Sequence, residues 1–103
     1  MSVITEFAMF PTDKSDSVSP YVSRIIAMFK QDGYNYQLTP MGTIFETDTL
    51  EEALSIIHKA YNELEADCSR VYSTVKFDIR KNRQNGMNQK IASIEQKIGN
   101  VNK

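Results

Sequence analysis

Arg70-Val71-Tyr72-Ser73-Thr74-Val75-Lys76-Phe77-Asp78-Ile79-Arg80-Lys81 is the cleanest alternation of apolar and polar side chains in the chain. A period of two places successive side chains on opposite faces of a β-strand. One face then carries Val71, Ser73, Val75, Phe77 and Ile79, and the other carries Arg70, Tyr72, Thr74, Lys76, Asp78 and Arg80. The first set suits a core. The second is too polar for a core and too apolar for bare solvent, so it fits an oligomer interface with compensated charges, or a ligand site built within one.

Upstream of this strand, Thr49-Leu50-Glu51-Glu52 is a capping box, in which the threonine hydroxyl accepts the N–H three residues on and Glu52 reaches back. Leu50, Ala53, Leu54, Ile57, Tyr61 and Leu64 recur at helical spacing, which predicts a helix to about Glu65. Residues 35–40 alternate apolar and polar, and residues 41–46 form a second short apolar run, so two strands are expected to meet at a tight bend over Pro40 to Gly42. Ser19 offers an N-cap hydroxyl and Pro20 suits the first helical position. Tyr21, Val22, Ile25, Met28 and Phe29 follow as one apolar stripe, and Gly33 supplies a left-handed residue at the helix end. Residues 2–10 suit a pleated surface and predict the first strand, with Pro11 expected to stop its ladder.

The order βαββαβ predicts an α+β, ferredoxin-like sandwich: four antiparallel strands with both helices on one face. Ile4, Glu6, Ala8 and Phe10 are expected on the open face, beside the polar side of the fourth strand. Downstream, Met87, Ile91, Ile94, Ile98 and Val101 form a narrow a/d seam on an otherwise polar helix. Two heptads are too few for an independent coiled coil, so the seam is expected to dock on another subunit or across its own sheet edge. The chain divides into a domain over residues 1–82 and a helical extension over residues 83–103.

Composition excludes several classes. A chain of 103 residues has room for one domain, and at this size only about 60–65% of the unfolded surface is buried, so a partner subunit would help. Thirteen acidic residues against twelve basic ones leave no footprint for nucleic acid. The βαββαβ order is shared with RNA-recognition domains, but Met41-Gly42-Thr43-Ile44-Phe45-Glu46 lacks their aromatic stacking pattern. No window approaches the roughly 18 apolar residues of a membrane span, and the N-terminus has no basic, apolar leader. With one cysteine, Cys68, and one histidine, His58, neither a disulfide nor a zinc site is expected. The expectation is a cytoplasmic protein with no membrane, nucleic acid, metal or cofactor.

Catalytic constellations are equally scarce. His58 lies within a helix without a nucleophile at a fixed offset and reads as a boundary residue, while Cys68 reads as a small packing residue. The four glycines form no phosphate-binding loop. What remains suits a small, flat, amine-bearing or cationic ligand. Tyr34, Tyr36 and Tyr72 offer aromatic faces, Glu6, Glu46 and Asp78 offer acceptors, and Thr43 beside Gly42 can read ring nitrogens. The residues alone leave open that Glu6, Lys76, Asp78 and Arg80 simply pair across strands.

Several segments resemble the family of small thiamine-binding proteins: Thr5-Glu6-Phe7, Ser19-Pro20-Tyr21-Val22, Tyr36 through Glu46, and Arg70-Val71 with Lys76-Phe77-Asp78-Ile79-Arg80. The resemblance spans residues 2–82. It implies a ferredoxin-like domain that assembles through its open sheet face into dimers or tetramers. It also implies binding of thiamine or its hydroxymethylpyrimidine moiety without catalysis, as a carrier, scavenger or sensor. Carried over by position, the implied ligand residues are Glu6, Tyr36, Met41, Gly42, Thr43, Glu46, Lys76, Asp78 and Arg80. The alternative is a structural or regulatory homo-oligomer with no metabolite, in which the open face and the C-terminal helix serve assembly.

Overall fold

A computed structural model describes residues 1–103. The elements are β1 (Ser2–Pro11), α1 (Ser19–Asp32), β2 (Tyr36–Thr39), β3 (Gly42–Thr47), α2 (Leu50–Glu65), β4 (Val71–Arg80) and α3 (Gly86–Ile98). The sheet runs in the order β2-β3-β1-β4 and every neighbouring pair is antiparallel. This is the ferredoxin-like α+β sandwich that the sequence predicts.

Register follows from which residues are apolar. Val3, Thr5, Phe7 and Met9 of β1 are buried, and their partners on β4 are Ile79, Phe77, Val75 and Ser73. Against this odd-numbered face pack Ile25 and Phe29 of α1 and Ala53, Ile56, Ala60 and Leu64 of α2, forming the core. Phe29 is its centre, with ring centroids 5.7 Å from Phe7 and 5.4 Å from Phe45. The even-numbered face carries Ile4 opposite Asp78, Glu6 opposite Lys76, Ala8 opposite Thr74 and Phe10 opposite Tyr72, as expected.

Three local expectations change. Val18, not Ser19, is the N-cap of α1, and no side chain caps it; the Val18 carbonyl accepts the N–H groups of Tyr21 and Val22. Pro11 does not stop the ladder: it stands opposite Val71 at a position whose backbone nitrogen faces away from β4, and the next residue, Thr12, donates its N–H to the Arg70 carbonyl at 2.9 Å. Phe77 and Ile79, placed on the core face by alternation, are 38% and 45% exposed because β4 is an edge strand lying past the cover of the helices. The other caps stand: Thr49 Oγ1 accepts the Glu52 N–H at 3.1 Å, and Gly33 has φ 73°.

After β4 the chain reverses through Asn85, at φ 54°, and α3 packs back on β1 and β3 of its own sheet. Met87 and Ile91 are half-buried there, whereas Ile94 and Ile98 are 50% and 72% exposed. Met87 and Ile91 dock in cis, Ile94 and Ile98 project, and Val101 at the end of the seam is half-buried.

Candidate functional site

Eight of the nine residues implied by the resemblance fall into two places, on opposite faces of the sheet, and Tyr36 lies in the core. Met41, Gly42 and Thr43 lie on the β2–β3 hairpin and help to line a cavity of about 270 Å³. Its other walls are Phe7 to Phe10 of β1 and Val18, Val22, Ile25 and Ile26 at the start of α1. No charged residue lines it. Thr39 shapes the hairpin: its hydroxyl donates to the Gly42 carbonyl at 2.8 Å and accepts the N–H groups of Met41 and Gly42 at 3.3 and 3.1 Å. Gly42 is a close approach, since a Cβ there would stand 2.9 Å from the Phe7 carbonyl oxygen. Met41 at the tip is 88% exposed, and Thr43 is buried on the helix-facing side.

Glu6, Lys76, Asp78 and Arg80 lie on the even-numbered face, across the sheet from that cavity. Glu6 and Lys76 pair at 2.9 Å. Asp78 bonds Lys90 at 2.7 Å and Arg83 at 2.9 Å, and these two cations hold its carboxyl at a pKa of about 2. Tyr36 belongs to neither place, because its ring packs edge-on against Phe29 at 5.7 Å, as Tyr34 does at 5.5 Å. Neither tyrosine presents a free face to the open side of the sheet, and Tyr72 alone does so, beside Phe10.

Glu46 lies on the same even-numbered face, in the row Glu46, Ile4, Asp78 at the end of the sheet where α3 docks. Its carboxylate accepts the Ser2 hydroxyl at 2.5 Å and the N–H groups of Gly86 and Met87 at 2.6 and 3.1 Å, so it caps α3. Burial pushes its pKa up, but the donors from Ser2, Gly86 and Met87 outweigh burial and hold it below the ordinary carboxylate range.

A model of the thiamine-binding protein family matches residues 5–95. The chain belongs to the thiamine-binding protein family. The UPF0045 protein MJ1052 of Methanocaldococcus jannaschii is 35% identical over 92 residues, covering 89% of this chain and 91% of the relative. Its crystal structure superposes with a TM-score of 0.80 at 33% identity, covering 92% of this chain and 97% of that one. A UPF0045 protein of Methanothermobacter thermautotrophicus is 33% identical over 85 residues, covering 82% of this chain and 86% of the relative. A domain of unknown function from Bacillus cereus shares the fold, with a TM-score of 0.75 at 23% identity over 87% of this chain and 86% of that one.

In this member of the thiamine-binding protein family, the residue that sequence reading missed is Arg83. It is 5% exposed and bonds the Ser2 hydroxyl at 3.1 Å, the Ser2 carbonyl at 3.3 Å, and the Asp78 carboxylate and carbonyl each at 2.9 Å. Arg83-Gln84-Asn85-Gly86 reads as a polar turn, and only the fold-back of α3 carries the guanidinium onto the end of β1. His58 is exposed, and Cys68 is buried, with burial and then Asp67 pushing its thiol pKa up. No helix is long and apolar enough to cross a membrane.

Proposed function

We infer that this chain binds thiamine or its hydroxymethylpyrimidine moiety reversibly, without catalysing a reaction, as a carrier, scavenger or sensor in the cytoplasm. The observation that carries this reading is the apolar cavity under the β2–β3 hairpin, with Thr43 among its lining residues. Its volume, about 270 Å³, lies just below the range of about 300–1,000 Å³ typical of drug-sized ligands. It therefore suits one flat ring more than two. In this reading Met9 and Met41 supply polarizable contact, Gly42 lets the hairpin backbone approach, and Thr43 reads a ring nitrogen or amino group. Glu46 and Tyr36 act by holding the fold around the cavity, one as the cap of α3 and the other as a wall of the core.

The family description supports the thiamine-related part of the reading. Calorimetric titration with thiamine, hydroxymethylpyrimidine and thiamine phosphates tests it. Heat that saturates with at least one of them, weakened about tenfold in Thr43→Val, is expected; no heat at near-millimolar concentration of any of them overturns it.

A second reading is favoured by one observation: Glu6, Lys76 and Asp78 already compensate one another or the cations beside them. In that reading the even-numbered face and the exposed half of α3 serve assembly into a dimer or tetramer with no metabolite. The same titration, run beside light scattering, separates the two.

A further inference from the structure

Asn85-Gly86 is the one place in the chain where glycine follows asparagine, and it is where α3 turns back onto the sheet. Each residue has its own structural reason. Asn85 sits at φ 54° and ψ 41°, a left-handed conformation that asparagine tolerates better than most residues with a Cβ. Gly86 has no positive φ; it is small because Arg83 lies across it, and a Cβ there would stand 2.5 Å from the Arg83 Nε. Together they make the dipeptide whose side-chain amide is most open to attack by the next backbone nitrogen, because glycine sets no side chain in the way.

While α3 is docked, the geometry keeps that reaction from starting. Glu46 Oε2 holds the Gly86 N–H at 2.6 Å, and the Asn85 carbonyl accepts the Gln89 N–H at 3.0 Å. Asn85 Oδ1 accepts the Asn88 side-chain amide at 2.9 Å, which fixes the other reacting group. At ψ 41° the Gly86 nitrogen stands nearly trans to the Asn85 Cβ across the Cα–C bond, so it points away from the carbon it would attack. Bringing the two together rotates ψ through most of a half-turn. That swing takes the Gly86 nitrogen off Glu46 and the Asn85 carbonyl off Gln89. Gly86 is buried in this corner, so the swing requires the first turn of α3 to leave the sheet.

We propose that Asn85 is a self-modification site gated by α3: it is inert while Glu46 holds Gly86, and once the helix lifts it converts to aspartate or isoaspartate and keeps the helix released.

In the released segment the Gly86 nitrogen adds to the Asn85 Cγ and closes a succinimide ring. The Cγ–Nδ2 bond breaks, and Nδ2 leaves as ammonia, taking up the proton that the Gly86 nitrogen gives up. Water then opens the ring. Addition at Cγ yields aspartate, and addition at the Asn85 main-chain carbonyl carbon yields isoaspartate. Either product carries a new negative charge beside Glu46, since both residues line one cleft, and like charges at that spacing repel. Isoaspartate also inserts a methylene into the backbone at the residue whose left-handed turn aims the Gly86 and Met87 N–H groups at Glu46. The change is one-way, because neither product regains the amide.

Incubation of the intact protein at mildly alkaline pH, with mass spectrometry of the peptide that spans residue 85, reads the reaction. Its rate is expected to follow the population with α3 lifted. Conversion is then slow in the unaltered protein, about fivefold faster in Glu46→Gln, and fastest in the urea-unfolded chain. Gly42→Ala loosens the sheet on the side away from α3, and its Asn85 is expected to convert at the unaltered rate. Equal rates in the unaltered protein and Glu46→Gln, or equal acceleration in Gly42→Ala, overturn the gate. Hydrogen exchange on aged protein reads the release: the isoaspartate fraction is expected to lose protection at the Gly86 and Met87 amides, while Asn85→Gly, which keeps the turn and lacks the side-chain amide, retains it. Full protection in the isoaspartate fraction, or loss of it in aged Asn85→Gly, overturns the proposal.

Discussion

The Glu46 carboxylate lies 2.6 Å from the Gly86 amide nitrogen, joining β3, which runs between β2 and β1 in the sheet, to the first turn of α3. A carboxylate on β3 thus does for α3 what an N-cap side chain does from within a helix, satisfying two of its orphan N–H groups and meeting the positive end of its dipole. Glu46→Gln halves the acceptor capacity and removes the charge. It is expected to cost about 1 kcal/mol. Thermal unfolding measures that loss, and faster exchange of the Gly86 and Met87 amides locates it.

The same corner sets an acid limit. Lys90 and Arg83 hold the Asp78 pKa at about 2, and the Glu46 pKa also lies below its ordinary value. A carboxyl with a lower pKa folded than unfolded contributes stability that is present above the unfolded value, about 4. That stability is lost as pH falls through the folded value. Urea unfolding repeated from pH 5 to pH 2 is expected to show declining stability, with a shallower decline in Asp78→Asn.

Gly42→Ala forces a new Cβ to within 2.9 Å of the Phe7 carbonyl oxygen, a backbone atom that cannot swing aside. The hairpin must lift from β1, at a cost of about 1–3 kcal/mol. Thermal unfolding is expected to show that loss, and ligand titration to show weakened binding in the cavity that the hairpin roofs.

Thr5 is fully buried between Phe45 and Phe77 in the sheet, and its hydroxyl has no hydrogen-bond partner. Thr5→Val keeps the β-branched shape and removes a buried polar group that nothing satisfies. The variant is expected to gain about 1 kcal/mol. Chemical denaturation checks the sign: a loss of stability would mean that the hydroxyl is bonded in solution.

The sequence by itself determined the order of elements, the two faces of β1 and β4, and the cap of α2. Those depend on short-range periodicity, and on hydroxyl and carboxylate side chains acting within one turn. Alternation placed Phe77 and Ile79 on the core side correctly, yet could not say that they stay half bare, because burial depends on how far the helices reach over an edge strand. The nine residues of the family pattern read as one site in the sequence. Only tertiary structure divided them, sending Met41, Gly42 and Thr43 to a cavity on one side of the sheet and Glu6, Lys76, Asp78 and Arg80 to the other. Arg83 and Glu46 belong wholly to the tertiary structure. Ser2 reaches Glu46 through the pairing of β1 with β3 and reaches Arg83 through the pairing of β1 with β4, Gly86 reaches Glu46 when the chain reverses at Asn85, and no local pattern encodes contacts made across 40 or 81 residues of sequence.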